Sequence, residues 1–185
     1  AVGWYGDAGE RELDERQLPV SSDYASQQFA ASEDAALLAE LLGIRVVRIR
    51  TGLVLAADGG FLKRLLLPFK LALGGPIGNG RQWMPWIHLH DQVALMDFLL
   101  HHEAACGPYN ACAPAPVRSR AFAKALGAAL HRPAFMPLPA IFLKLGLGEL
   151  SVLLLGGQRA LPKRLLEAGF VFRFNTLETA LADLL

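Results

Sequence analysis

At 185 residues the chain is long enough for one domain, or most of one, and its net charge of +1, with no basic stripe interleaved with aromatics, argues against a nucleic-acid binder. Its 53% hydrophobic content and mean hydropathy of +0.32, carried largely by Ala and Leu, predict a sizeable helical core. The longest apolar runs, at residues 65–73 and 138–155, are broken by Lys70, Lys144 and Glu149 and by proline or glycine, short of the roughly 20 clean apolar residues of a membrane span, so no membrane partner is expected and a cytoplasmic location is the default.

In chain order, residues 1–5 read as the end of a buried strand, and the charged stretch 6–17 as a surface loop. Ser21-Ser22-Asp23 is a helix start signal, and Gly43 ends the helix that follows, whose apolar positions Phe29, Ala36, Leu37 and Leu41 recur at helical spacing. Residues 44–50 alternate Val or Ile with arginine and predict a strand, followed by a loop at 51–60. A helix is expected over 61–73, a strand over 84–88, a helix over 91–102 opened by Asp91, a short strand over 109–112 and a helix over 119–130 carrying Phe122 and Leu126 on one face. Residues 133–185 differ in texture, with Pro137, Pro139, several short helical pieces and a closing helix at 176–185. The only cysteines, Cys106 and Cys112, flank a predicted strand; they make neither a zinc site nor a disulfide framework and are expected to be structural.

Strands alternating with helices of ten or more residues argue for a parallel α/β sheet, in which ligands sit outside the carboxyl ends of the strands. That rule selects Tyr5 and Gly6, residues 51–55, His88 and Asn110. The most informative stretch is 73–91, where a loop with glycines at 74, 75, 78 and 80 runs into a short apolar strand and then Asp91. Those glycines permit positive φ and close backbone approach.

This stretch resembles the Gly-x-Gly…Ile-His-x-x-Asp passage of extended short-chain dehydrogenase/reductases. Several further segments are similar, more narrowly, to the epimerase-like atypical branch of that family: Ala-Val-Gly-Trp-Tyr-Gly-Asp at 1–7, Arg-Ile-Arg-Thr-Gly-Leu-Val-Leu at 48–55, the proline- and glycine-bearing run at 67–78, Pro-Trp-Ile-His at 85–88 and Leu-Pro-Lys-Arg-Leu-Leu-Glu-Ala-Gly-Phe at 161–170. The resemblance spans nearly the whole chain in order. It implies a Rossmann-type fold with a bound nicotinamide cofactor, NADP(H) ahead of NAD(H), and a small-molecule substrate it does not name. No Gly-x-Gly-x-x-Gly follows a strand near Ala1, although such a turn is what seats a pyrophosphate on a helix N-terminus. Gly78-Asn-Gly80 is no substitute, because it follows a helix and precedes a strand. The resemblance therefore implies that Ala1 lies at the fifth strand and that the first half of the domain, the natural partner of this chain, lies upstream. The expected architecture is the C-terminal half of a doubly wound parallel sheet over 1–132, with a small, mostly helical subdomain over 133–185.

The same resemblance places Thr51, Gly52, Leu53 and Val54 along the nicotinamide and its ribose, though typical members carry Asn at the position of Leu53. The usual catalytic Tyr-x-x-x-Lys pair sets both groups on one helical face, where the ammonium helps the phenol exchange a proton. Here Tyr24 is followed four residues later by Gln28; if Glu33 takes the family's glutamate position, the pair falls on Ala25 and Phe29. Either register lacks it, and general acid–base catalysis is worth about 10²–10⁴-fold. Tyr24, Tyr5 in the Val-Tyr-Gly-like turn, and His88 at a strand end are the remaining catalytic candidates. His88-x-His90 offers two ligands without a third, so no metal is expected. Met84 stands where nucleotide-sugar epimerases carry an arginine, which puts a nucleotide-sugar substrate in doubt. Arg159, Lys163, Arg164 and Arg173 read as a solvated face. The best reading is an NADP(H)-dependent oxidoreductase or epimerase-like protein with an atypical active site; the alternative is a non-catalytic NADP(H)-binding sensor that orders a surface for a partner.

Overall fold

The computed structural model describes residues 1–20, 23–137 and 156–185. The run at 138–155 and the start signal at Ser21-Ser22 lie outside the described residues. The helices are α1 (Tyr24–Leu37), α2 (Gly60–Lys70), α3 (Leu89–His101), α4 (Ser119–Ala129), α5 (Lys163–Glu167) and α6 (Leu177–Leu184). The strands are β1 (Glu12–Leu13), β2 (Val47–Thr51), β3 (Leu53–Leu55), β4 (Trp83–Met84), β5 (Trp86–His88), β6 (Gly107–Ala111), β7 (Val117–Arg118) and β8 (Arg159–Ala160). Pairing is parallel for β2 with β6, β3 with β5 and β1 with β8, and antiparallel for β4 with β7. This is the Rossmann-like arrangement the alternation predicts, with a helical C-terminal part.

One continuous segment supplies both β2 and β3, and the ladder changes partner at Gly52. The Gly52 N–H donates to Ala111 O and the next, that of Leu53, to Pro85 O. A Cβ on Gly52 would lie 2.6 Å from Pro85 O, so the switch needs glycine. The loop expected at 51–60 thus contains a strand. Pro85, with no N–H to give, divides the strand expected at 84–88 into β4 and β5, which face different partners.

Residues 1–5 are not a strand. Val2–Tyr5 form a 3-10 turn closed by Trp4 N–H to Ala1 O and Gly6 N–H to Gly3 O, and Gly6 leaves it at φ 73°. The segment 6–17 is not wholly a surface loop either. It forms β1, and Leu13, Asp14 and Glu15 are buried.

Asp23 caps α1 by accepting the Ser26 N–H, and Gly43 stops the 3-10 extension of the helix in the left-handed region. Of the apolar positions at helical spacing, Phe29 and Leu37 are half-buried and Leu41 is 82% exposed, while Ala25 and Ser26 are the buried residues of α1. Helix α3 starts at Leu89, where His88 rather than Asp91 is the cap, its Nδ1 accepting the His90 N–H.

Phe122, Ala123 and Leu126 of α4 pack with Phe174, Leu177, Ala180 and Leu181 in one apolar cluster together with Leu55, Met84 and Trp86. Leu165, Phe170 and Phe172 join Ile87, Leu95 and Leu99 in a second. The described part of 133–185 therefore shares its cores with 1–132. Cys112 is buried and Cys106 exposed.

Candidate functional site

Four separated stretches of chain converge at the carboxyl end of β2. Ala1, Val2 and Gly3 from the N-terminal turn, Thr51, Gly52 and Leu53 from the β2–β3 junction, Trp83, Met84 and Pro85, and Gly156 with Gln158 line a cavity of about 120 Å³. Its walls are mostly apolar. Gln158 is buried and gives an N–H to Gly6 O, while the Thr51 hydroxyl has no protein partner among the described residues. None of these lining residues has an ionisable side chain. At the rim, the guanidinium groups of Arg118 and Arg159 lie 4.8 Å from the centre of the Trp83 ring. Arg118 is held by Glu10 at 2.7 Å and Arg159 by Glu12 at 3.1 Å, and Glu10 also accepts the Trp83 indole N–H.

Three of the four residues expected along a cofactor, Thr51, Gly52 and Leu53, meet at this cavity, whereas Val54 packs toward the second apolar cluster. The space that Gly52 leaves open is filled by Pro85 rather than by a ligand ring. Trp83, Gly156 and Gln158 were not singled out by the sequence. They reach the cavity through long-range pairing of β4 and β8, which leaves no local signal.

The three catalytic candidates lie elsewhere. The Tyr5 hydroxyl is fully buried, donating to Asn110 Oδ1 at 2.9 Å with Asp14 O 3.0 Å away, and burial pushes its phenol up to about 12. Tyr24 opens α1 with its ring 57% exposed, outside the lining. His88 borders a separate open groove of about 730 Å³, with Asp58, His90 and Asp183 among its lining. Its ring stacks on Phe174 at 3.9 Å and its Nδ1 accepts the His90 N–H, while the buried Nε2, 3.3 Å from Asp183 Oδ2, makes no hydrogen bond among the described residues. Burial lowers its pKa. Among the described residues no group of three His, Cys, Asp or Glu could hold a metal ion, and no helix is long and apolar enough to cross a membrane.

Glu33 on α1 grips Arg50 through both oxygens, at 2.7 and 2.9 Å, and takes a third bond from Arg48 at 3.0 Å. The Arg50 guanidinium lies 3.3 Å over Trp4, and its buried Nη1 has no hydrogen-bond partner among the described residues. Ala25 and Phe29 share the helical face of Glu33, so no hydroxyl or ammonium stands at those positions.

The Ile-His-x-x-Asp motif acts as a fastener. Asp91 is buried and accepts the backbone N–H groups of Arg173 and Phe174, both at 3.0 Å. A second fastener lies in the segment expected as a loop. Glu15 accepts the N–H groups of Asn110 and Arg164, and Asp14 pairs with Lys163 at 2.9 Å. Arg164 donates to Pro108 O and stacks on Tyr109, and Arg173 lies over Phe174. The basic residues of the last third are thus largely engaged in the fold, not a free solvated face.

The family model of the NAD dependent epimerase/dehydratase family matches residues 1–112, and a domain of unknown function, DUF1731, matches 138–184. Epimerase family protein YfhF of Bacillus subtilis is 38% identical over 185 residues, all of this chain and 61% of that protein. Epimerase family protein SDR39U1 of Mus musculus is 40% identical over 183 residues, covering 98% of this chain and 62% of the relative. The chain therefore spans about three fifths of the length of these curated relatives. The crystal structure of human epimerase family protein SDR39U1 (isoform 2) with NADPH superposes with a TM-score of 0.92 at 36% identity, over 100% of this chain and 62% of that one. A nucleoside-diphosphate sugar epimerase from Corynebacterium glutamicum gives 0.81 at 30% identity, over 100% and 36%.

Proposed function

This chain belongs to the NAD-dependent epimerase/dehydratase family, and from that premise we propose that it forms the nicotinamide end of an NADP(H)-binding, epimerase-like oxidoreductase. The observation that carries the reading is the convergence of four chain segments on one small cavity at the carboxyl end of a parallel strand, the place where α/β sheets bind ligands. The residues fit one ring of such a cofactor. Thr51, Gly52 and Leu53 supply an apolar wall with a hydroxyl, and Gln158, whose amide N–H is held by Gly6 O, lines the same cavity. Nothing in this chain supplies a Gly-x-Gly-x-x-Gly turn for the pyrophosphate. When bound, the cofactor brings hydride donation or acceptance; the protein orients it and keeps water out. NADP(H) rather than NAD(H) is supported by the NADPH in the human SDR39U1 crystal.

The reading includes a partner within the same domain. An upstream segment, of the kind that makes the relatives longer, covers the open edge of β2. Beside β2 an open groove is lined by Val47, Ile49, Val93, Met96 and Leu100.

A second reading, a non-catalytic NADP(H)-binding sensor, is favoured by one observation. No side chain lining the cavity among the described residues can give or take a proton at neutral pH, and Gln28 stands four residues after Tyr24.

The test is an NADPH titration of the protein extended to the length of its relatives, beside the 185-residue chain. The extended protein is expected to bind at micromolar concentration or tighter and the chain alone not measurably. Failure of the extended protein to bind NADPH overturns the reading, as does tight binding by the chain alone. Turnover on a carbonyl panel supports the oxidoreductase; tight binding without it supports the sensor.

A further inference from the structure

A second concave surface lies away from the cavity at Thr51. The parallel ladder of β3 and β5 pairs Leu53 with Trp86 at one end and Leu55 with His88 at the other. The cavity takes Leu53 from the first end, and the open groove of about 730 Å³ takes His88 from the second; the two linings share no residue. Much of the groove is aliphatic, through Ala57, Leu89, Val93 and Leu184. Two carboxylates, Asp58 and Asp183, also line it, and among the described residues no lysine or arginine does. The Asp58 carboxylate makes no hydrogen bond or ion pair among the described residues, and Asp183 has the His88 ring as its one ion-pair neighbour there. Arg173, whose charge also reaches His88, lies over Phe174 and outside the lining. Beside Asp183 is a buried polar atom without a partner. The His88 side chain is 6% exposed and its Nδ1 is taken by the His90 N–H, yet Nε2 makes no hydrogen bond among the described residues, although Asp183 Oδ2 stands 3.3 Å away. An unpaired polar atom at the wall of a groove calls for a polar group from the ligand.

These features restrict the ligand. Two carboxylates without a lysine or arginine among them favour a cation. Among the described residues no three His, Cys, Asp or Glu could hold a metal ion, so the cation is an organic one. The aliphatic lining favours a short carbon stem. A hydroxyl donates one hydrogen bond and has two lone pairs, so a single hydroxyl donates to Asp183 and pairs with His88 Nε2 at once. We propose that this groove is a binding site for a small amino alcohol, its hydroxyl bridging His88 Nε2 and Asp183 and its ammonium paired with the Asp58 carboxylate. The site is separate from the cofactor end proposed above and does not rest on that function. Asp58 sets the preference for positive charge; His88 and Asp183 set the preference for a hydroxyl.

NMR of the 185-residue chain tests this with probes of similar size: propanolamine, propylamine, propanediol and lactate. Ligand saturation and the ring nitrogen resonances of His88 are followed together. Propanolamine is expected to saturate at roughly ten millimolar, in keeping with so few heavy atoms, and to shift the His88 resonances. Propylamine lacks the hydroxyl and propanediol the charge, and each should bind at least about threefold more weakly. Lactate carries the opposite charge and should not bind measurably. Asp58→Asn should weaken both amines alike, by about twofold to fivefold, whereas Asp183→Ala should erase the advantage of propanolamine over propylamine. Both side chains are exposed, so thermal unfolding of the two variants is expected to match the parent, which separates these effects from misfolding. Propanediol or lactate that binds as tightly as propanolamine overturns the proposal. So does a His88 ring that no probe shifts, or an Asp183→Ala variant that keeps the hydroxyl preference. In the protein extended to the length of its relatives, propanolamine should bind equally with and without saturating NADPH; loss of its binding in either condition overturns the separate site. Propanolamine binding without NADPH binding keeps this site and removes the proposed function, and the converse keeps the function and removes the site.

Discussion

Residues 156–185 and the flank formed by β2, α3 and the end of α1 are both rich in aliphatic side chains, yet the chain treats them oppositely. In the first, Leu165, Phe172, Leu177 and Leu181 are buried, and carboxylates fasten the backbone around them: Asp91 to 173 and 174, Glu15 to 164. In the second, Val93, Met96 and Leu100 stand exposed beside β2, whose second edge is unpaired among the described residues. Buried backbone N–H groups need acceptors, and a carboxylate satisfies two at once. The comparison teaches that the family's Ile-His-x-x-Asp motif is spent on holding the C-terminal part to the sheet. The flank is tied through side chains instead: Glu33 on α1 holds Arg48 and Arg50 of β2, and Arg45 donates to the carbonyls of Leu99, Leu100 and Ala105.

The largest expected effect comes from cutting a fastener. Asp91→Ala leaves two backbone donors without their acceptor, one of them buried. An unsatisfied buried donor costs about 1–3 kcal/mol, so the variant should lose roughly 3 kcal/mol in urea unfolding. A loss under about 1 kcal/mol would show that the clamp is replaceable by water. Tyr5→Phe should cost less, about 1–2 kcal/mol, because it removes one buried hydroxyl and leaves Asn110 Oδ1 short of a donor. It should leave NADPH binding by the extended protein unchanged. Lost turnover at intact stability would instead return Tyr5 to the chemistry.

These two residues show what the sequence made legible. The alternation of strand and helix could be read directly, because period is a local property; the partner switch at Gly52 could not, because it depends on Ala111 and Pro85. Thr51 to Leu53 could be placed at a strand's carboxyl end for the same reason. Asp91 could be read only as a helix opener, since its real partners are 82 and 83 residues away. Asp14 and Glu15 looked like loop charges because β1 is two residues long and its partner, β8, is 147 residues further on at Glu12 and Arg159. The stripe on α1 was read correctly as apolar, but apolar spacing does not say which body covers it.

The pH dependence follows from His88. Its folded pKa lies below the ordinary 6.5, chiefly through burial, so the folded state holds fewer protons than the unfolded one in the window just below 6.5. Its contribution to stability is complete above that window and falls as pH drops through it. Asp183, Asp91, His90 and Arg173 all act on the ring, the two carboxylates opposing the shift and His90 and Arg173 adding to it. A melting temperature followed from pH 8 to pH 5 should therefore decline below about 6.5, and His88→Asn should flatten that part of the curve. An unchanged slope in the variant would assign the decline to other groups.

The smallest effect belongs to the open flank, and it is the one that separates the two surfaces most directly. Met96 is half exposed on α3, so Met96→Lys removes little that is buried in this chain, and urea unfolding should move by no more than about 0.5 kcal/mol. Its solubility should rise, because an exposed apolar patch is an aggregation liability. In the protein extended to the length of its relatives the same substitution should cost about 2 kcal/mol or more, since a lysine would then face apolar cover instead of water. The difference between the two measurements reads the joint itself. If Met96→Lys is equally harmless in both, the upstream segment does not seat on α3, and this apolar face is left for some other body to cover.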